Sequence, residues 1–400
     1  MTSSCAVESD TLRIGFYSNH LCERGSEIAL FDYADFAESI RGAVSYILYD
    51  SKSSKNVPLV IAKFQARFGD RVIPLGKPAE IVPALKRHSI SHAYIIKFGH
   101  SDEPSMRWFG SACKKLVHCV FDSSEPHGDV YARISPCVPC RALSSQDRAV
   151  PVVPHIVRPC STTGPDLRSE LGIPASATVF GRHGGADTFD IPEVRRAVLS
   201  VARDRSDIYF LLMNTAPFAD EKTGRERKVP SNIIHLDMTM DEGRKAAFIR
   251  TCDAMLHARL TGETFGLAVA EFSVANRPVL SSIRHHECGA ANFHIRTLDR
   301  KGLWYHDQES CEKLLRSFDR KAAKRKDWNA YSAFEPAKVM QIFWDVFIDG
   351  KAEQHLHDDS SSTDRAPQDA QRPVFPSSAP NALLSSSNPF MRASAMAWGS

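Results

Sequence analysis

Four hundred residues, 43% hydrophobic, 24% charged and 9% aromatic, form an ordinary globular mixture whose length calls for two domains rather than one core. Fifty Lys and Arg against 47 Asp and Glu leave a charge of +3, too slight a bias to drive nucleic-acid binding. No run of about 18 apolar residues is present, the first residues lack the basic and apolar segments of a secretory signal, and ten scattered cysteines are too sparse for a disulfide framework. A soluble, cytoplasmic protein with reduced thiols is expected.

In chain order, Leu12 to Ser18 reads as a first apolar strand, followed by a loop through Gly25. Ile28, Ala29, Phe31, Tyr33, Phe36 and Ile40 recur at helical spacing, and Arg41-Gly42 stops that helix. Ala43 to Tyr49 is a second strand, a helix lies near 57–69, and further strands fall at Ala93 to Lys97, Lys115 to Phe121 and Val152 to His155. Strands separated by helices mean βαβ units and a parallel sheet. Pro, Gly and Thr then break the rhythm, so 157–177 reads as a linker containing a short helix from Asp166 to Leu171.

A second alternating series opens at Thr178. Its strands are Thr178 to Gly181, Ile208 to Met213, Ile233 to Leu236, Ala254 to Leu256 and Pro278 to Ser281, with a helix around 309–319 after them. The two series make an α/β fold of two domains, each around a parallel sheet, 11–156 and 178–333. Val339, Ile342, Phe343, Val346 and Phe347 put an apolar stripe on a helix within 334–351. From 352 to 400 the chain is rich in Ser and Pro and without period, which predicts a disordered tail.

The chemistry concentrates in Cys252 to Ser273. A strand passes through a turn at Gly262 into a helix that starts near Thr264. A helix N-terminus offers free N–H groups and a positive dipole end, a ready place for a diphosphate, and Gly266 permits close approach there. Glu263 stands just ahead of that N-terminus, within reach of sugar hydroxyls. Glu271 follows at roughly 12 Å along the helix, so the two carboxylates suit opposite ends of a nucleotide sugar.

The block Glu263-Thr-Phe-Gly-Leu-Ala-Val-Ala-Glu271, followed by Asn276-Arg-Pro-Val-Leu280, resembles the Glu-x7-Glu element of retaining GT-B glycosyltransferases of the family-4 type. Gly181-Arg182-His183-Gly184-Gly185, Ile233 to Asp237, Arg24-Gly25-Ser26-Glu27 and Gly302-Leu303-Trp304-Tyr305 resemble further elements of that family in the same order. The resemblance spans about 11–350. It implies the GT-B fold, with two Rossmann-like domains facing across a cleft and a C-terminal helix returning to the N-terminal one. It also implies transfer of a hexose from a nucleotide diphosphate sugar to an acceptor hydroxyl with retention. The donor would lie on Arg182, Gly184, Arg259, Thr264, Phe265, Gly266, Leu267 and Glu271, with the base at the backbone near Leu236. Arg24 and Gly25 would stand on the acceptor side with His118, and Glu263 and His127 would be catalytic. No cofactor and no metal are implied.

Two positions depart from the family pattern. Asp187 and Thr188 stand where a Lys usually assists the diphosphate, leaving Arg259 or Arg24 to supply the second cation. Phe121 stands where relatives carry a His at the end of a strand; His118 lies three residues earlier on an apolar strand and reads as a core residue ahead of a site residue, and His127 is borne on a loop. These departures motivate the alternative, a GT-B protein that binds a nucleotide sugar or glycan without turnover. Cys137-Val-Pro-Cys140 and His285-His286-Glu287 lack the further ligands of a zinc site. The basic run Lys321 to Lys326 reads as a solvated face, with weak contact to an anionic membrane surface as the second reading.

Overall fold

The computed structural model describes residues 11–102, 104–111, 113–138, 150–218, 229–283 and 292–355. Its first half is a six-stranded sheet in the order β3-β2-β1-β4-β5-β6. These strands are β1 (Arg13–Ser18), β2 (Val44–Asp50), β3 (Val72–Leu75), β4 (His92–Lys97), β5 (Lys114–Cys119) and β6 (Val130–Arg133). The second sheet runs β12-β11-β10-β7-β8-β9, built from β7 (Thr178–Arg182), β8 (Ile208–Met213), β9 (Ile233–Leu236), β10 (Ala254–Leu256), β11 (Val279–Ser282) and β12 (Gly302–Tyr305). Every strand pairing is parallel, as in Phe16↔Ile47 and Phe16↔Tyr94 around β1, and Gly181↔Leu211 beside β7. Parallel pairing needs crossovers. α1 (Gly25–Arg41), α2 (Pro58–Phe68) and α3 (Ile81–Arg87) supply them in the first half. The second half uses α4 (Pro192–Asp204), α5 (Glu242–Thr251), α6 (Leu267–Val274) and α7 (Phe293–Leu298), with α8 (Gln308–Ser317) and α9 (Arg320–Ala323) following β12.

Burial on both faces explains the apolar strands. Along β1, Ile14 and Phe16 enter one core, and Tyr17 enters another on the opposite face of the sheet. The first of these cores is completed from the far end of the chain. α10 (Pro336–Phe343) and the π-helical turn Trp344–Ile348 bring Val339, Met340, Phe343, Val346 and Phe347 into contact with the side chains of β1, α1 and β4. Phe343 stacks on Tyr33 at 5.1 Å and meets Tyr94 at 5.2 Å. Among the described residues no helix is long and apolar enough to cross a membrane.

Three local expectations change. The linker segment 166–171 forms hydrogen-bonded turns rather than a helix, with Leu171 N donating to Leu167 O. β3 and β6 are strands that the sequence pattern hides; β3 carries Pro74 and is an edge strand, where the missing N–H is tolerated. The apolar stretch 152–155 makes only an isolated bridge with Arg133, because Pro151 just before it and Pro154 within it cannot donate to a ladder. The C-x-x-C motif ends at Cys140 outside the described residues, as do His285-His286-Glu287 and the tail beyond His355. The four residues Ala352–His355 form a 3-10 turn whose last carbonyl accepts from Val152 N at 3.1 Å.

Candidate functional site

β10 ends against the turn that carries Glu263, and Gly266 caps α6 in the left-handed region at φ 85. Any larger residue there is strained, and its Cβ would also come within 3.2 Å of Glu263 Cγ. The carboxylate of Glu263 receives Arg259 Nη1 at 2.7 Å on Oε2 and faces His257 Nε2 at 3.3 Å on Oε1. His257 is oriented by Ser281 Oγ at 2.8 Å, and the His294 ring lies 4.8 Å from it. Burial alone would raise the carboxyl, yet Arg259, His257 and His294 hold it down to about 2. Arg259, expected to meet a phosphate, is thus engaged first with Glu263.

Glu271, about one turn into α6, pairs with Lys245 Nζ of α5 at 2.7 Å and lies 3.0 Å from His183 Nε2. Burial opposes its ionisation, and Lys245 and His183 together hold it well below the usual carboxylate range. Lys245 also meets Glu242 at 3.1 Å, and Glu242 meets Lys63 of α2 at 2.7 Å, so an ion-pair chain runs from one half of the molecule to the other.

Arg182 closes β7 at 3% exposure. Packing fixes the glycine before it, since a Cβ on Gly181 would lie 2.1 Å from Cys252 Sγ. The guanidinium donates to Asn214 O at 3.0 Å, Thr215 Oγ1 at 2.6 Å, Gly185 O at 2.7 Å and Thr188 Oγ1. Thr188, where the family pattern carries Lys, therefore holds the arginine instead. Asn214 also ties the loop by donating to Gly184 O at 2.8 Å. No carboxylate lies within ion-pair distance of Arg182 among the described residues, and burial lowers its pKa to about 10.

The two halves meet at this place. Gly25, at the start of α1, stands where a Cβ would touch Leu267 Cδ1 at 3.7 Å. Ser135 Oγ donates to Thr264 O at 2.5 Å. Phe265 is buried between the His155 ring at 5.3 Å and the Phe293 ring at 5.3 Å. The fold thus brings Arg24 and Gly25, on the loop after β1, up to the N-terminal end of α6. Leu236 ends β9, its carbonyl accepting from Asn214 N at 2.9 Å.

His118 does not belong to the site. It is fully buried in the first-half core, with Nδ1 at 2.7 Å from Tyr94 Oη and Nε2 at 2.8 Å from Val153 O. Both nitrogens are engaged, and burial keeps the ring neutral. The reason is strand alternation: position 118 points into the sheet face that α10 covers. His127 sits on the loop after β5, with Nδ1 at 2.6 Å from Glu125 O and its ring on Tyr131 at 5.3 Å; Nε2 has no partner. Phe121 packs on Phe98 at 5.2 Å and against the second-half core. Nothing in the residue pattern marks Lys245, His257 and His294, whose roles arise only from folding. His183 was adjacent to the Gly-Arg element and was open to inference from that adjacency.

Among the described residues, one trio brings potential metal-ligand atoms within 4.8 Å of one another: His20, Cys22 and Glu27 on the loop and helix after β1. As they stand, Cys22 Sγ donates to Glu27 Oε2 at 3.4 Å, joined there by Ser26 Oγ at 2.9 Å.

No family model matches the chain, and no curated protein matches it in sequence. Solved structures do. A glycosyltransferase from Rickettsia africae aligns with a TM-score of 0.57 at 11% identity, over 87% of this chain and 97% of its own. The HepE protein of Anabaena, solved with UDP-glucose, aligns at 0.53 and 13% identity over 86% and 98%. A trehalose-6-phosphate synthase, OtsA, aligns at 0.54 and 11% identity over 86% and 99%. Two parallel six-stranded sheets, a meeting of their carboxyl-end loops at α6, a C-terminal helix that returns to the first sheet, and likeness along nearly the whole of these chains give this protein the GT-B fold.

Proposed function

We propose that the protein is a retaining glycosyltransferase that moves a hexose from a nucleotide diphosphate sugar to an acceptor hydroxyl, with the donor on the second half (178–333) and the acceptor on the first (11–156). The observation that carries this reading is Arg182: a buried guanidinium whose partners are carbonyls and hydroxyls, with no carboxylate in ion-pair reach. Glu263, Asp187 and Asp190 act on it only from beyond ion-pair distance; a buried charge without a direct counter-ion is costly, and a diphosphate on the loop 183–188 and the first turn of α6 would supply one. The UDP-glucose bound by HepE supports that class of donor.

In this reading the bond between the anomeric carbon and the β-phosphate oxygen breaks, and its electron pair leaves with the nucleotide diphosphate. Arg182 and the N–H groups at the start of α6 stabilise the charge that develops there, without a metal. Glu263, ionised and oriented by Arg259 and His257, holds sugar hydroxyls, and Glu271 holds the ribose. The acceptor hydroxyl adds on the face that the leaving group vacates and releases its proton. His127 is the proposed recipient, because burial keeps its ring neutral and Nε2 is unpartnered.

One set of observations favours a second reading, a GT-B protein that binds donor without turnover: Arg259 is paired with Glu263, Thr188 replaces a cation, and Phe121 occupies the family's histidine position. Release of nucleotide diphosphate from uridine, guanosine and adenosine diphosphate sugars separates the two. Turnover that Glu263→Gln abolishes at unchanged melting temperature supports the transferase; a thermal shift with donor but no turnover supports the binder. Near wild-type turnover in Glu263→Gln would remove Glu263 from the chemistry.

A further inference from the structure

The carboxyl ends of β1, β2 and β3, with the turn after β4, enclose a cavity of about 380 Å³. It lies over the β3-β2-β1 side of the first sheet, outside the carboxyl ends of its strands, the end at which open α/β sheets receive ligands. Three lysines, Lys52, Lys55 and Lys77, contribute to its wall against a single carboxylate, Asp50. Asp50 Oδ1 already accepts the backbone N–H of Lys52 at 2.9 Å, and nearby Glu80 is turned to the N–H of Gly76 at 2.7 Å. Lys52 and Lys77 are exposed and pair with no carboxylate among the described residues. Trp108 and Tyr17 give the same cavity an aromatic side.

We propose that this cavity holds an anionic acceptor: a small hydroxyl compound bearing a phosphate or carboxylate, its anion at Lys52, Lys55 and Lys77 and its ring against Trp108. The exposed ammonium groups of Lys52 and Lys77 have no carboxylate partner among the described residues, and a bound anion gives each a charge-assisted hydrogen bond. A planar or ring-shaped body gains further from the indole face. His20 also lines the cavity and brings it a hydrogen-bonding ring. The loop that carries Asn19 and His20 continues directly to Gly25, which abuts Leu267 of the donor helix. The word acceptor rests on the transferase reading; the anion site stands on the cavity itself.

The test is calorimetric titration of the full chain, without nucleotide sugar, using glucose 6-phosphate, glucuronate, inorganic phosphate and glucose. At least one anionic compound should bind tenfold or more tightly than glucose. Preference for glucose 6-phosphate assigns the anion as phosphate, and preference for glucuronate assigns it as carboxylate. The double variant Lys52→Gln, Lys77→Gln should lose that advantage at an unchanged melting temperature. Equal binding of all four compounds, absence of binding, or an unaltered advantage in the double variant overturns the proposal. No donor is present in the experiment, so its failure leaves the transferase reading intact, and its success does not depend on that reading.

Discussion

Arg182 shows how one residue serves structure and ligand together. Its four hydrogen bonds fix the loop after β7, and its charge is left for an anion. Arg182→Ala should therefore lower kcat/KM by an amount equivalent to about 2 to 4 kcal/mol, the scale of removing one electrostatic donor, and should lower the melting temperature as the loop loosens. Arg182→Lys restores charge without the planar fork and should recover only part of the loss; undiminished kcat/KM in Arg182→Ala would place the diphosphate elsewhere. Two buried carboxyls respond to pH in opposite senses. Glu263 is held down to about 2 from an ordinary 4.5 by Arg259 and His257 against the effect of burial. Its stabilisation is complete above the ordinary value and is lost as pH falls toward about 2. Glu27 is raised to about 7 from 4.5 by burial, against hydrogen bonds from Ser26, Cys22 and Ser18. The folded state keeps that proton after the unfolded chain has released it, so stability falls as pH rises through this window. Glu27→Gln removes the effect, and the melting temperature of the variant relative to wild type should climb between about pH 5 and about pH 8. A difference independent of pH would show Glu27 to be hydrated.

Elements differ in how plainly the chain announces them. β8, β9 and β10 are bounded as their apolar runs predict, and β8 and β10 are interior strands of a parallel sheet with both faces covered. β3 and β6 are short edge strands, one interrupted by Pro74, and an edge strand needs less apolar length. The Glu-x7-Glu spacing was legible because both residues lie on one helix and its approach. Lys245 was not, since α5 reaches Glu271 only through the folded sheet; His118, on an apolar strand, is the core residue that its setting suggests, on the face that α10 covers. That covering helix makes a direct prediction. Phe343 is fully buried between Tyr33, Tyr94 and Phe347, so Phe343→Ala should cost about 3 to 5 kcal/mol through lost transfer energy and a residual cavity. Denaturant unfolding measures it, and a cost under about 1 kcal/mol would mean that the site collapses around the missing ring.

At the scale of the molecule, the alternation of strands and helices announced two parallel sheets, because each needs long crossovers. How the sheets meet was not written in either series. The meeting depends on pairs far apart in sequence: Ser135 with Thr264, Lys63 with Glu242, Gly25 with Leu267, and Arg158 with Asp32 and Asp35 at 2.6 Å. Beside these polar and small contacts runs an apolar one, in which Cys119, Val120, Ile134 and Val138 join the core of the second half and Phe265 packs on His155. A surface ion pair such as Lys63–Glu242 contributes about 0 to 1 kcal/mol, so Lys63→Ala should leave the melting temperature nearly unchanged while weakening the chain of charges that ends at Glu271. A raised donor KM at constant melting temperature is the expected result.

The placement of α10 also governs the order of events during synthesis. The first sheet is translated early, yet Val339, Met340, Phe343, Val346 and Phe347 are needed to close its core. At about 5 to 20 residues per second, a ribosome would need some tens of seconds after the first sheet to deliver them. Throughout that interval Phe16, Tyr33 and Tyr94 stay uncovered on one side, a nascent surface for a chaperone to occupy. A chain released at residue 333 should accordingly bind an apolar dye and aggregate, and a synthetic peptide of residues 334–355 should suppress both. A well-behaved 1–333 fragment that ignores the peptide would show that the nascent first half closes by another route.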